Sequence, residues 1–426
     1  MKKTLKFGGT SVGSAENMRK VAAIIRSERA QLTVLSAMSG TTDALVKITQ
    51  TSGFAEKQTI IDLLGEKYSS CIGELLSDKT DAIARMEATL DFIASPSSCD
   101  EGSAKAVLAQ GELLTTYIFT KYIEEQGCKA VLLNAPDFMH TDADGKVDTT
   151  LLKNGLANLD KDTFYITQGF ICTNAGGELD NLGRGGSDYS AALMGVAIGS
   201  AEVQIWTDID GMHNNDPRFV EKTYPIRRMS FDEAAELAYF GAKILHPATI
   251  LPCKEAGVNV RLKNTMDAAA EGTLIAAADD SAASFHAVAA KDNITVIRIT
   301  SARMLMAYGF LRKVFEIFEK WRTPIDMITT SEVAVSLTID STCHLQEIVA
   351  ELSPLGHIEV ESGNTIVCVV GRINYEASGL AAQIFKSVSS VAIKMISYGA
   401  SHRSLSLLIN TTDKKRTLQS LNDFLF

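Results

Sequence analysis

The sequence predicts an α/β protein: a mostly parallel sheet with helices on both faces, followed by two smaller βαββαβ units. Three observations carry this. Over the first two thirds, short apolar runs alternate with longer segments of helical period. Near Asp279-Asp280-Ser281 a polar, small-residue stretch interrupts the alternation, and the elements after it are shorter. The tail also repeats itself, because Pro324-Ile-Asp-Met-Ile328 resembles Val391-Ala-Ile-Lys-Met-Ile396, with Met327 and Met395 in matching places. Strands that alternate with helices close into a parallel sheet because each crossover returns the chain to the same end.

The elements follow in order. Residues 4–7 form a strand running into Gly8-Gly9, and Ser14 opens a helix with Met18, Val21, Ala22, Ile24 and Ile25 on one face. Residues 32–37 form the next strand. A long helix covers 60–76, with Leu64, Cys71, Ile72 and Leu75 apolar, and another covers 105–125 and stops at Gly127. Segments 130–133, 164–167 and 203–206 are short strands. Ser230-Phe-Asp-Glu233 has the form of a capping box before a helix, and 258–262 is a late strand. From Ile294 the order is strand, helix (310–321), strand, strand, helix (345–352), strand. From Thr365 it is strand, helix, strand, strand, helix, so the second unit lacks a last strand. The strand-like segment 285–290 upstream can supply it, which makes that unit discontinuous. The expected domains are 1–280 and 285–426, the latter divided into 301–364 and 285–300 plus 365–426.

A chain of 426 residues exceeds what one core usually serves, and 46% hydrophobic with 22% charged residues is ordinary globular composition. The net charge of −10 argues against a nucleic-acid partner. The seven cysteines include Cys99 and form no C-x-x-C pair, which fits buried thiols in a reducing cytosol. The histidines show no metal-ligand spacing. Met1-Lys2-Lys3 is followed by Gly8, Gly9, Thr10 and Ser11 rather than an apolar signal region, and no run of about 18 apolar residues suggests a membrane span. A cytoplasmic protein with no membrane partner is expected.

Several loops carry chemistry. Lys6-Phe-Gly-Gly-Thr-Ser-Val12 ends a strand in two glycines shortly before a helix. Glycine lets backbone N–H groups approach phosphate, a helix N-terminus favours an anion, and Lys6 is placed to bridge transferring oxygens. The plain alternative is a tight turn with a surface lysine. This is not a Walker A loop, since Ser14 stands where lysine is required, and the protein-kinase signatures are absent. Leu182-Gly-Arg-Gly-Gly-Ser-Asp188 runs directly into a helix: Arg184 offers a planar fork, Gly185 and Gly186 remove obstruction, and Ser187 or Asp188 can cap. Trp206-Thr-Asp-Ile-Asp-Gly211, continuing to Asp216-Pro-Arg218, lies at the C-terminal end of a strand, where parallel sheets place ligands. Phe240-Gly-Ala-Lys-Ile-Leu-His-Pro247 puts Lys243 at a helix end, where it also suits the helix dipole, and His246 packs. Each has an ordinary reading as a turn or cap. Glu112, in Gln110-Gly-Glu-Leu-Leu114, can pair with an ammonium group, with a solvated helix face as its default reading. Ser39-Gly-Thr-Thr42 is another small polar loop.

Together these segments are specific. Lys6-Phe-Gly-Gly-Thr-Ser-Val12, Gly183-Arg-Gly-Gly-Ser-Asp188, Trp206-Thr-Asp208 and Gly241-Ala-Lys-Ile-Leu-His-Pro247 resemble the signatures of aspartate kinase. The resemblance continues through Gly309-Phe-Leu311 and Ile328-Thr-Thr-Ser-Glu-Val333, so it covers essentially the whole chain. It is closest to the monofunctional, lysine-sensitive type. The fusions with homoserine dehydrogenase are set aside, since nothing follows the regulatory region.

The resemblance implies a three-layer αβα amino-acid-kinase domain followed by two ferredoxin-like ACT modules. It implies transfer of the γ-phosphoryl group of ATP, with Mg²⁺, to the β-carboxylate of L-aspartate. By motif position Lys6 stabilises the transferring group and Asp188 organises the centre. Thr42, Glu112, Arg184 and Ser187 hold aspartate, with Glu112 on its ammonium and Arg184 on its α-carboxylate. Lys6, Gly8, Gly9, Ser11, Thr207, Asp208, His213, Arg218, Lys243 and Ile244 lie along ATP, with His213 where an aromatic hydroxyl is common. No side-chain metal ligand is implied. Met304, Phe310, Leu311, Asp326, Ser331 and Glu332 match an effector site between ACT modules of two subunits, with L-lysine the leading effector. Ala307 and Tyr308 depart from the small polar and basic residues of the lysine-sensitive pattern. A homodimer or higher homo-oligomer through the ACT region is expected. The weighed alternatives are a kinase of the same fold for glutamate or N-acetylglutamate, and a catalytically silent amino-acid sensor.

Overall fold

The computed structural model describes residues 2–95, 101–183, 185–241, 249–277, 284–304, 308–373 and 378–426, with 101 and 102 described by backbone alone. Cys99, Arg184, Lys243, Ile244, His246 and Ala307 lie outside the described residues. The chain divides into two compact units. Met1–Met212, Arg227–Phe231 and Ile244–Asp279 form the first, and His213–Ile226, Asp232–Lys243 and Asp280–Phe426 form the second. By this division 213–226 and 232–241 group with the C-terminal residues. The physical reason is packing. Val220 is fully buried in a core of C-terminal residues, with Phe219 against it, and the Asn214 and Asn215 side-chain amides donate to the Asn422 side-chain oxygen at 3.1 and 3.5 Å.

The first unit opens with β1 (Lys3–Phe7), α1 (Ala15–Glu28), β2 (Leu32–Leu35) and α2 (Thr41–Gln50). Then come α3 (Phe54–Leu75), α4 (Thr80–Ala94), α5 (Glu101–Glu125), β3 (Ala130–Leu133), α6 (Thr149–Gly155) and β4 (Phe164–Gln168). A hairpin of β5 (Ile171–Thr173) and β6 (Leu179–Asn181) precedes α7 (Gly186–Ala197) and β7 (Glu202–Thr207). β8 (Arg228–Ser230) leads into α8 (Phe231–Tyr239), which groups with the second unit from Asp232 on. α9 (Leu251–Ala256), β9 (Asn259–Asn264) and β10 (Thr273–Ala276) complete it.

The sheet order is β3-β4-β2-β1-β7-β9-β10-β8, and only β9 and β10 pair antiparallel. The order reverses between β1 and β7, so the loops after these strands flank a topological switch point. Alternation along β1 sends Leu5 and Phe7 into the core with α1 to α5. Thr4 and Lys6 therefore face α7. Gly195 lets that helix come close, since a Cβ there would sit 2.4 Å from Val203 Cγ2 and 3.4 Å from Thr4 Oγ1. Ser14 caps α1 as expected, accepting from the Asn17 N–H. Helix α4 is an element that pattern reading passed over; it buries Ala82, Met86, Thr89 and Ile93 at helical spacing.

The second unit contains β11 (Phe285–Thr300), α10 (Phe310–Lys320), β12 (Ile328–Thr330), β13 (Ala334–Ile339), α11 (Leu345–Leu352) and β14 (His357–Gly371). α12 (Leu380–Ser387), β15 (Ile393–Ser397), β16 (Ser404–Asn410) and α13 (Lys414–Leu425) follow. One antiparallel sheet runs β12-β13-β11-β14-β16-β15. β11 and β14 pair along their length, with register shifts around Ile294. Asn293 (φ +62°) and Gly363 (φ +77°) sit beside that irregularity. One core gathers Ile297 and Ile299 with α10, β13 and α11. The other gathers Phe285 and Val288 with the later half of β14, α12, β16 and α13. Ile297 and Ile299 of β11 thus pack with the first module. Met327 and Met395, the matched pair of the repeat, are 3% and 5% exposed at equivalent edges of the sheet. No described helix is long and apolar enough to cross a membrane.

Candidate active site

The first unit brings Lys6, Glu112, Ser187 and Asp188 together at the carboxyl ends of its strands. Lys6 Nζ lies 2.7 Å from Asp188 Oδ1, both side chains nearly buried. The expectation that Ser187 or Asp188 caps α7 is corrected. Gly185 (φ +75°) occupies the N-cap without a side-chain bond, leaving Asp188 for Lys6 and Ser187 for Glu112. A left-handed N-cap of this kind suits glycine.

Glu112 is 3% exposed, not on a solvated helix face. Its Oε2 accepts from the Gly169 and Phe170 N–H groups at 3.0 and 2.7 Å, and its Oε1 accepts from the Ser187 hydroxyl at 3.0 Å. Burial pushes its carboxyl up to about 7, against the pull of these donors and of Lys6. Pattern reading missed Gly169 and Phe170, which act through backbone N–H groups. The available signal was a glycine directly after strand β4. A Cβ at Gly169 would lie 2.7 Å from Ser187 Cβ, so this close approach requires glycine.

The glycine turn after β1 is built by backbone. Gly8 N–H donates to the Trp206 carbonyl at 3.2 Å, and Ser39 N–H donates to the Gly9 carbonyl at 3.0 Å. A Cβ on Gly9 would lie 2.8 Å from the Ala37 carbonyl oxygen. Ser11 is fully buried with its hydroxyl 2.7 Å from Thr265 Oγ1, so its side chain is committed to the fold. Thr42 is exposed in the first turn of α2. Thr207 ends β7, its hydroxyl accepting from the Ile209 N–H at 3.1 Å, and Asp208 is exposed.

His213 and Arg218 belong to the second unit. Arg218 is paired through Nε and Nη2 with Asp216, at 2.9 and 2.6 Å to Oδ1 and Oδ2. Among the described residues no group of three or more His, Cys, Asp or Glu side chains is placed to hold a metal ion.

In the second unit the effector candidates Met304 and Phe310 pack against the first module's core, and Leu311, Ser331 and Glu332 are exposed. The Asp326 side chain is 1% exposed and 2.6 Å from Lys291 Nζ, which also lies 2.9 Å from Asp340. The Tyr239 hydroxyl donates to Asp326 Oδ1 at 2.7 Å, while Oδ2 is buried with no hydrogen-bond partner.

Comparisons with known proteins agree with this architecture. Residues 1–264 match the amino acid kinase family, and residues 367–425 match an ACT domain. The lysine-sensitive aspartokinase 3 of Escherichia coli is 34% identical, over 99% of this chain and 98% of its own length. The crystal structure of E. coli aspartokinase III with aspartate and ADP superposes with a TM-score of 0.88 at 33% identity, covering all of both chains. Its complex with lysine and aspartate gives 0.82 at the same identity, covering 100% of this chain and 99% of that one. With a kinase site on a parallel sheet and an ACT domain matched in the C-terminal part of the chain, the chain belongs to the aspartokinases of the amino acid kinase family.

Proposed function

We propose that this chain transfers the γ-phosphoryl group of MgATP to the β-carboxylate of L-aspartate, giving 4-phospho-L-aspartate, in the cytoplasm. That is the first step toward lysine, threonine and methionine. The supporting observation is the placement of a buried carboxylate, Glu112, beside the Lys6–Asp188 ion pair. It offers an ammonium-binding group next to a phosphate-binding cation. The E. coli relative bound to aspartate and ADP points the same way.

The acceptor carboxylate, with a pKa of about 4, is already ionised at neutral pH, so no general base is required. The protein's task is alignment and charge neutralisation. Glu112 takes the substrate ammonium, with Ser187 and Thr42 beside the substrate and Arg184 on its α-carboxylate. Lys6 neutralises the transferring group while Asp188 holds its ammonium in place. Gly8, Gly9 and Ser11 lend backbone, and Thr207, Asp208, His213, Arg218, Lys243 and Ile244 line the nucleotide; Arg218 must exchange Asp216 for phosphate to do so. Mg²⁺ bound with the nucleotide would supply further charge neutralisation.

The test is purified protein with MgATP and L-aspartate in a hydroxylamine trap for the acyl phosphate. Aspartyl hydroxamate is the expected product. Folded protein that binds ATP yet gives hydroxamate only with glutamate or N-acetylglutamate would overturn the assignment.

An end-product amino acid, L-lysine first among the candidates, is proposed to inhibit from Met304, Phe310, Leu311, Asp326, Ser331 and Glu332. The unpartnered Asp326 Oδ2 supports this, because a buried carboxylate oxygen without a donor favours an incoming ammonium group. The E. coli relative that binds lysine and aspartate is consistent with it. The effector site lies in a homodimer made through the C-terminal sheet, whose edge strand β12 is exposed along its length. In Asp326→Ala, Lys291 keeps Asp340, so the fold survives. The lysine concentration for half inhibition should rise about tenfold or more, with kcat within about twofold. Unchanged inhibition in a dose–response assay rules this effector site out.

A further inference from the structure

Tyr68 lies in the first unit, on α3, outside every motif that the sequence singles out. It is 2% exposed. Its hydroxyl is 3.2 Å from Thr41 Oγ1, 3.1 Å from Thr115 Oγ1 and 3.3 Å from the Gly111 carbonyl. Thr115 donates to that same carbonyl at 2.7 Å and accepts from the Met38 N–H at 3.2 Å. Thr115 gives its proton to the Gly111 carbonyl, so Tyr68 can accept from Thr41 and donate either to Thr115 Oγ1 or to that same carbonyl. The neighbouring Lys67 ammonium donates to the Ser39 carbonyl.

This chain of bonds joins two parts of the proposed aspartate site. One end is the first turn of α2, which carries Thr41 and Thr42. The other is helix α5 one residue before Glu112. The two are also in tight contact, since a Cβ on Gly111 would lie 2.9 Å from both Ala37 Cβ and Thr41 Cγ2. A buried polar network that is fully satisfied holds one geometry, and losing one member leaves its partners unsatisfied.

We infer that Tyr68 is a positioning residue for the acceptor amino acid, fixing the Thr41–Thr42 turn against the Glu112 helix through its hydroxyl. It touches neither substrate nor nucleotide, so its effect falls on acceptor affinity rather than on phosphoryl transfer or ATP. The inference rests on the aspartate reading of this site.

The experiment measures kcat and KM for aspartate and ATP in wild type, Tyr68→Phe, Thr41→Val and the double variant, with thermal midpoints alongside. Tyr68→Phe should raise KM for aspartate about five- to tenfold, with kcat within about twofold and KM for ATP unchanged. The double variant should be no worse than the poorer single, because both break one chain. Thr41→Val keeps the test alive should Tyr68→Phe fail to fold. A lowered thermal midpoint with unchanged KM for aspartate would mean packing alone and overturns the inference. Additive effects in the double variant overturn it as well. Wild-type protein that turns over no aspartate removes the underlying reading and this inference with it, an outcome distinct from an active wild type with an indifferent Tyr68→Phe.

Discussion

Replacing Lys6 by alanine should lower kcat by about 10²- to 10³-fold while leaving the protein folded. The electrostatics require a loss of that size. Lys6 is the ammonium that the structure sets against Asp188, and phosphoryl transfer to a carboxylate brings two anions together. Without it, Asp188 and the partly ionised Glu112 face an incoming phosphate with one less positive charge. The alanine variant also strands a mostly buried carboxylate, which destabilises the fold. Lys6→Ala/Asp188→Asn should therefore regain much of the lost thermal midpoint and none of the activity. The hydroxamate assay and a melting curve check the two halves separately. Turnover within about tenfold of wild type would remove Lys6 from the chemistry.

Glu112→Gln should lower kcat/KM for aspartate about 100-fold with KM for ATP little changed. Glutamine suits the site sterically. Its oxygen can accept from the Gly169 and Phe170 N–H groups, and its amide can donate to Ser187, whose hydroxyl then turns to accept. What disappears is the charge that meets an ammonium group. A pH signature separates this from loss of shape. Glu112 is raised from 4.5 to about 7 by burial. The ligand-free fold therefore favours its neutral form. Its contribution to stability is full below pH 4.5 and is lost as pH rises through about 7. Wild type should lose stability over that window relative to Glu112→Gln. An ammonium ligand favours the ionised form, so aspartate binding near pH 7 should release about half a proton. Titration calorimetry in buffers of different ionisation enthalpy reads this directly. No proton release in wild type, or equal release in the variant, would place the ammonium elsewhere.

The parallel sheet and the C-terminal modules were legible where strands are buried and read as largely apolar runs, as at the fully buried Leu32–Leu35 and the mostly buried Ala334–Ile339. The N-cap at Ser14 was legible because capping is local chemistry. Glu112 was harder. Its burial depends on Gly169, Phe170 and Ser187, which lie 57 to 75 residues away. A lone glutamate in a helix is solvated by default, and no periodicity marks an exception. The packing of residues 213–226 was hidden for a related reason. Residues 213–226 look like an ordinary loop of the first unit, and only the burial of Val220 among C-terminal side chains shows where they pack. Tyr68 carried no signal, because a tyrosine on the apolar face of a helix reads as core.

Strands β11 and β14 each serve both C-terminal cores, and this governs the order in which the nascent chain can close. The early half of β11 pairs with the last stretch of β14, which in turn pairs with β16. Residues 285–291 thus leave the ribosome long before most of their partners exist, whereas residues 294–364 can assemble one module from a nearly contiguous stretch. The apolar face around Phe285 and Val288 must wait uncovered until α13, more than a hundred residues later, is free to settle on it. Translation that stalls between α11 and α12 would leave a folded module carrying an open sheet edge, a species suited to chaperone capture or to pairing with another unfinished chain.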